Sequence, residues 1–200
     1  FIKEGYTIAI TARRETELQE AASALRQLNP QAAVYAAAFD LSVREEAQAF
    51  GAFALQHLGQ VDVLINNTGT YFPGELGSEE EGLLEKLMGI NLYSAYHLTR
   101  HILSAMKGNE AIQGSRGHII NISSIAALKA YANGGAYSVS KFAMQGFSKN
   151  LREELMPYGI KVSTINPGAT WTDSWNGSGV DPQRILQTAD IAGIVWSITQ

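Results

Sequence analysis

Tyr137 and Lys141 stand four residues apart, with two serines between them, in "AYSVSKFAMQGF", Ala136 to Phe147. On a helix that spacing makes them surface neighbours. An ammonium beside a phenol favours the phenolate, which turns a side chain that ordinarily ionises near pH ~10 into a usable general acid and base. Packing explains the pair as well, because a lysine stem covers an aromatic ring while its head stays in water. Chance supplies about 0.3 such pairs in a chain of this composition, so the pair alone does not choose. His97 and His101 are also spaced i, i+4, as two metal ligands on a helix would be. No flanking carboxylate supplies a third ligand, so they read as a helix surface or subunit contact and no metal site is expected. Zero cysteines exclude disulfides, thiol catalysis and zinc–thiolate centres, and fit a cytoplasmic protein.

Those side chains need a scaffold, and 200 residues with 46% hydrophobic and 17% charged content suffice for one soluble domain with a continuous core. The net charge of −4 is mild and the basic residues are scattered, which argues against nucleic acid or an anionic membrane as partner. No apolar run approaches the ~20 residues of a membrane span. Apolar, β-prone runs at Thr7–Thr11, Ala33–Ala37, Val61–Ile65, His118–Ile122 and Lys161–Ile165 alternate with helical patterns. The helices are expected at Glu15–Leu28, Val43–Leu58, roughly Glu79–Met106, Tyr137–Met156 and from Ala189. Such alternation predicts an α/β fold, a doubly wound parallel sheet with helices on both faces. Ligands bind outside the carboxyl ends of such strands, where "TARR", "FDLS", "NNTG", "NISS" and "NPGAT" fall.

Several of these segments recur in a fixed order. Ser124, closing "IINISS", precedes Tyr137 by 13 positions, and the triple with Lys141 is expected by chance only about 0.02 times. "NNTG" (Asn66–Gly69), Asn91 in "GINLYSAYHLT", "FDLS" with Asp40, and "NPGATWTD" (Asn166–Asp173) complete the set. Together they resemble the short-chain dehydrogenase/reductase family across essentially the whole chain. The general layout is similar to 3-oxoacyl-(acyl-carrier-protein) reductases, and "PGATWTDSW" to sepiapterin-reductase-like members. The resemblance implies hydride transfer between a nicotinamide and a carbonyl or secondary alcohol. Tyr137 would then donate the proton, Lys141 lower the tyrosine pKa and hold the nicotinamide ribose, and Ser124 stabilise the substrate oxygen. The backbone carbonyl of Asn91 would hold a relay water. Asp40, Leu41, Asn67, Gly69, Pro167, Gly168 and Thr172 would line the cofactor with Tyr137 and Lys141. Each residue also has a plainer reading: Ser124 as a turn cap, Asn91 as a tolerated helix asparagine, and Asp40 as the turn before a helix with Ser42 at its N-cap.

An acidic residue at the end of the second strand of this fold would bind both ribose hydroxyls and repel a 2′-phosphate. Here the position is Ala12, followed by Arg13 and Arg14, whose guanidinium groups suit phosphate, so NADP(H) is expected over NAD(H). Thr68 replaces the alanine usual in the family. A small-molecule carbonyl or alcohol is the expected partner, its pocket lined by Ile125 to Tyr131, Trp171, Trp175 and a glycine-bearing segment "DSWNGSGVDPQ". A non-catalytic NADP-binding module is the alternative. Apolar positions Leu92, Tyr96, Phe142, Phe147 and Leu151 on two long helices predict a homotetramer or homodimer. "FIKEGY" reads as the last turn of a helix capped by Gly5, and no Gly-x-Gly cluster follows within 30 residues. Residues 1–200 are therefore expected to form one domain incomplete at both ends, lacking about 20 residues that carry the first strand and a glycine-rich phosphate turn. Without that strand its neighbours would expose unpaired edges, and the 200 residues alone would be insoluble or molten.

Overall fold

The computed structural model describes residues 1–172, 175 and 177–200. Five strands alternate with helices: β1 (Ile8–Ile10), α1 (Glu15–Leu28), β2 (Val34–Ala36), α2 (Arg44–Leu58), β3 (Val63–Asn66), α3 (Leu83–Met88), α4 (Ser94–Gly108), β4 (Gly117–Ile122), α5 (Gly135–Leu155), β5 (Ile160–Ile165) and α6 (Thr188–Thr199). Every strand falls on the apolar run that predicted it, within two residues at either end. All pairings are parallel, as they must be when each connection carries a helix. β4 is the centre of a β3-β4-β5 sheet and is buried along five of its six residues, which is why it reads as a continuous apolar run. In register, Asn66 of β3 faces Asn121 of β4. The opening residues form a short turn, Ile2–Glu4, closed by Gly5 at φ 82°, whose N–H bonds the Ile2 carbonyl.

β1 and β2 form a separate two-stranded sheet. β1 is not paired with β3; both line one cavity of about 1020 Å³, walled by Leu18, Phe50, Leu98 and Ile102 of the helices. The buried core divides the same way. Leu64, Ile119 and Val162 of β3, β4 and β5 pack with Phe50, Leu98, Ile102, Met106 and Leu155 of α2, α4 and α5. Ile2, Ala22, Ala32 and Val34 make a smaller cluster beside β2.

The single helix expected over Glu79–Met106 is instead three pieces. Gly82, at φ 83°, starts α3, and between α3 and α4 the backbone widens into a π-helical turn, Gly89–Tyr93. Ser94 N–H reaches back to the Gly89 carbonyl, and the Ser94 hydroxyl donates to the Ile90 carbonyl at 2.6 Å, replacing the bond the wider turn gives up. α2 and α4 approach closely at Gly51, where a Cβ would come within 2.6 Å of the His101 ring. His101 is exposed, its ring lying over Gly51, and no cluster of three potential metal ligands occurs among the described residues. Leu151, expected on an outer face, is buried in the core, and Phe147 packs against that core and the Tyr96 ring. No helix among the described residues is long and apolar enough to cross a membrane.

Candidate functional site

Tyr137 occupies the first turn of α5 and is half-buried, its ring edge-on to Tyr71 with centroids 4.8 Å apart. Burial holds its phenol above the ordinary tyrosine range; the facing Ser124 hydroxyl pulls down and Tyr71 pushes up. Ser124 lies two residues beyond β4 in extended backbone, and its Oγ also accepts from the Ala126 N–H at 3.2 Å, so it caps a turn as the plainer reading had it. One turn on, Lys141 is 5% exposed, with Nζ 5.8 Å from the Tyr137 ring centroid. No carboxylate pairs with it among the described residues, and burial brings its pKa down to about 8. The expectation that Lys141 lowers the Tyr137 pKa is therefore not met in this structure. Burial dominates both groups, favouring the protonated phenol and the neutral amine together.

Asn91 lies in the π-turn and is fully buried. Its Oδ1 accepts from the Thr70 N–H at 2.8 Å; its Nδ2 donates to the Thr70 carbonyl at 3.1 Å and to Ser140 Oγ at 2.9 Å. The Ser140 hydroxyl in turn donates to the Tyr137 carbonyl at 2.7 Å. One amide thus ties the chain after β3 to the turn of α5 that bears Tyr137. It is no merely tolerated helix asparagine. Gly69 passes directly above, where a Cβ would lie 3.4 Å from both Asn91 Oδ1 and Lys141 Nζ.

At the other end of the cleft, Thr11, Ala12, Arg13, Asp40, Leu41, Asn67, Thr68 and Gly69 line the cavity between β1 and β3. Arg13 is exposed at its rim. Arg14 lines the same cavity, at the N-cap of α1, where it ion-pairs with Glu17 on the surface. Partial burial raises the Asp40 carboxyl, but hydrogen bonds from the Ser42 hydroxyl (2.6 Å) and N–H (3.0 Å), with the charge of Arg13, bring it below the usual carboxylate range. Ser42 therefore turns back onto Asp40, and Val43 takes the N-cap of α2 in its place. Leu41 faces the main core. Beyond β5, the Pro167 carbonyl accepts from the Ile125 N–H at 3.0 Å, so the Pro167–Gly168 loop lies beside the turn that follows Ser124. Trp171 and Thr172 follow, with Trp171 N–H bonded to the Leu186 carbonyl at 2.7 Å. Of the glycine-bearing segment and the "NPGATWTD" motif, Asp173, Ser174 and Asn176 lie outside the described residues.

These groups suit a nicotinamide dinucleotide. Thr11 Oγ1 and Asn166 Oδ1 are buried without a partner among the described residues, at the ends of β1 and β5. A Cβ at Gly69 would already touch the Lys141 amine at 3.4 Å, so the backbone there lies close to it. Sequence reading missed two contributors. Tyr71 covers Tyr137, and Glu79 accepts from the Ala136 N–H of α5 at 2.8 Å across 57 positions of chain. Neither carries a periodic or spacing signal.

A family model described as short chain dehydrogenase matches residues 1–182. A diacetyl reductase, (S)-acetoin forming, of Staphylococcus epidermidis is 31% identical over 176 residues, 86% of this chain and 65% of that protein. A 7α-hydroxysteroid dehydrogenase, solved with NADH and 7-oxo glycochenodeoxycholic acid, superposes with TM-score 0.86 at 26% identity, covering 98% of this chain and 78% of that one. An alcohol dehydrogenase of the archaeon Thermococcus sibiricus, complexed with 5-hydroxy-NADP, gives TM-score 0.87 at 24% identity over 99% and 81% of the two chains, a likeness of fold. With its parallel sheets, its Ser124, Tyr137 and Lys141 gathered at the strand ends and this match along most of its length, the chain belongs to the short-chain dehydrogenase family, nicotinamide-dependent oxidoreductases of CH–OH and C=O groups.

Proposed function

We propose that the protein interconverts a ketone and a secondary alcohol with NADP(H), using Tyr137 as general acid and base. The nicotinamide supplies or accepts the hydride. A ketone oxygen gains negative charge as it is reduced, and the Tyr137 and Ser124 hydroxyls face one another where that oxygen would lie. Tyr137 gives up its proton as the charge develops. Lys141, sequestered below, would hold the nicotinamide ribose, and Asn91 would fix the geometry of both. Pro167, Gly168 and Thr172 would flank the nicotinamide; Asn67, Gly69, Asp40 and Leu41 the adenosine. The carrying observation is the gathering of Ser124, Tyr137 and Lys141 at one strand end, with the phenol holding its proton.

Arg13 supports NADP(H): it is exposed at the cleft rim near Asp40, and no acidic residue stands at the end of β1. Arg14 lines the same cavity and would assist once released from its exposed ion pair with Glu17. Exposed Tyr93, Tyr96, Val139 and Phe142 on the π-turn, α4 and α5 favour a homodimer or homotetramer, and the absence of cysteine favours the cytoplasm. The test is to follow the absorbance of NADPH and NADH with a panel of carbonyl compounds. Tyr137→Phe is expected to lower turnover by at least ~10²-fold while NADPH still binds. Near-normal rates in that variant would remove Tyr137 from the mechanism.

A further inference from the structure

We propose that Tyr71, clamped against Tyr137 by the segment following β3, is the specificity-determining wall of the carbonyl site, and that with Tyr131 it selects ketones bearing a flat aromatic substituent. The inference rests on reading Tyr137 as the proton donor to a carbonyl oxygen. Tyr71 meets the Tyr137 ring at 83° with centroids 4.8 Å apart, and Tyr131 faces both. Tyr71 and Tyr131 are 43% and 44% exposed, so each shows ring surface beside a half-buried donor. A ketone has two substituents in the plane of its carbonyl. With the oxygen at Tyr137, the exposed face of Tyr71 beside it is where one of them would run. Aromatic rings meet other rings edge-on or offset-stacked, and such contacts reward a planar ring over a puckered one of the same size.

A loop tyrosine would discriminate poorly if it could swing away, and this one is held on both sides. Before it, both backbone groups of Thr70 are bonded to the Asn91 amide. After it, the Phe72 ring lies under Lys86 at 4.6 Å, and the Gly74 N–H bonds the Asn133 carbonyl at 3.1 Å. Further on, the Glu79 carboxylate accepts from the Ala136 N–H, one residue before Tyr137. Gly135 makes this seat possible: its φ is 39°, and a Cβ there would come within 2.6 Å of the Gly74 carbonyl and collide with Glu79. Glu79 is thus a positioning residue for Tyr71.

Acetophenone and cyclohexyl methyl ketone share a carbonyl, a methyl and a six-membered ring, and differ in planarity. Comparing their kcat/KM ratio between variants cancels their intrinsic reactivities. In the full chain with NADPH, Tyr71→Leu is expected to lower the acetophenone preference roughly three- to tenfold, mainly through KM. Tyr71→Phe should keep the preference, and Tyr131→Leu should lower it, which serves if Tyr71→Leu fails to fold by circular dichroism. Glu79→Ala should lower it partway and Glu79→Gln restore it, since an amide oxygen still accepts the Ala136 N–H. NADPH affinity, read by fluorescence titration, should not move in any of them. An unchanged ratio in folded Tyr71→Leu and Tyr131→Leu, with both ketones turned over, overturns the assignment of Tyr71 and leaves the functional reading standing. Loss of NADPH affinity in step with the ratio also overturns it. A parent protein that turns over no ketone or alcohol at all overturns both.

Discussion

Burial gives Lys141 a titration that folding stability can report. Its pKa is about 8 in the folded protein and close to 10.4 in an unfolded chain, so between those values the unfolded state binds the extra proton. Stability attributable to Lys141 is therefore greatest at high pH and is lost as pH falls toward 8, below which it is flat. The difference in urea-unfolding free energy between the parent and Lys141→Met should rise with pH by up to about 1.4 kcal/mol per pH step between 8 and 10. A flat difference would mean that the amine is solvated. At the rim, Arg13→Ala is expected to lower NADPH affinity about tenfold with little effect on NADH, the scale of one charged hydrogen bond. Arg14→Ala should lower it less, because that guanidinium must first leave Glu17, and isothermal titration separates the two. Sequence told these arginines apart poorly, because the ion pair with Glu17 at i+3 shows only once α1 has a fixed start.

Asn91 acts at the scale of elements, fastening the chain after β3 to α5. Asn91→Ala would leave the Thr70 N–H and carbonyl and the Ser140 hydroxyl short of partners. A loss of about 2–3 kcal/mol in urea unfolding is expected, together with a fall in kcat as Tyr137 loses its seat. The alternation of strands and helices was legible because each has its own period, and β4 showed as a run since both its faces are covered. The break between α3 and α4 was not, although Gly89 marked a weak point. A π-turn is stabilised by distant partners, here Thr70 and Ser140, which no local pattern encodes. Tyr71 and Glu79 escaped for the same reason: each matters through a residue more than fifty positions away.

For the whole molecule, the exposed aromatics of the π-turn, α4 and α5 predict self-association: light scattering at micromolar concentration should give at least a dimer, and Phe142→Glu should weaken it. β1 and β2 have a small core of their own, and Ala9 of β1 also packs against the larger one. Regions with few shared buried contacts open independently. Amide protons of β1 and β2 should accordingly exchange with deuterium well before those of β4, in two separable phases of mass increase. The candidate site spans that division, with Arg13 and Asp40 on one side and Gly69 and Lys141 on the other. A dinucleotide bound across it would stabilise only the state in which both halves are closed. Adding NADPH should then slow exchange at β1 and β2 most.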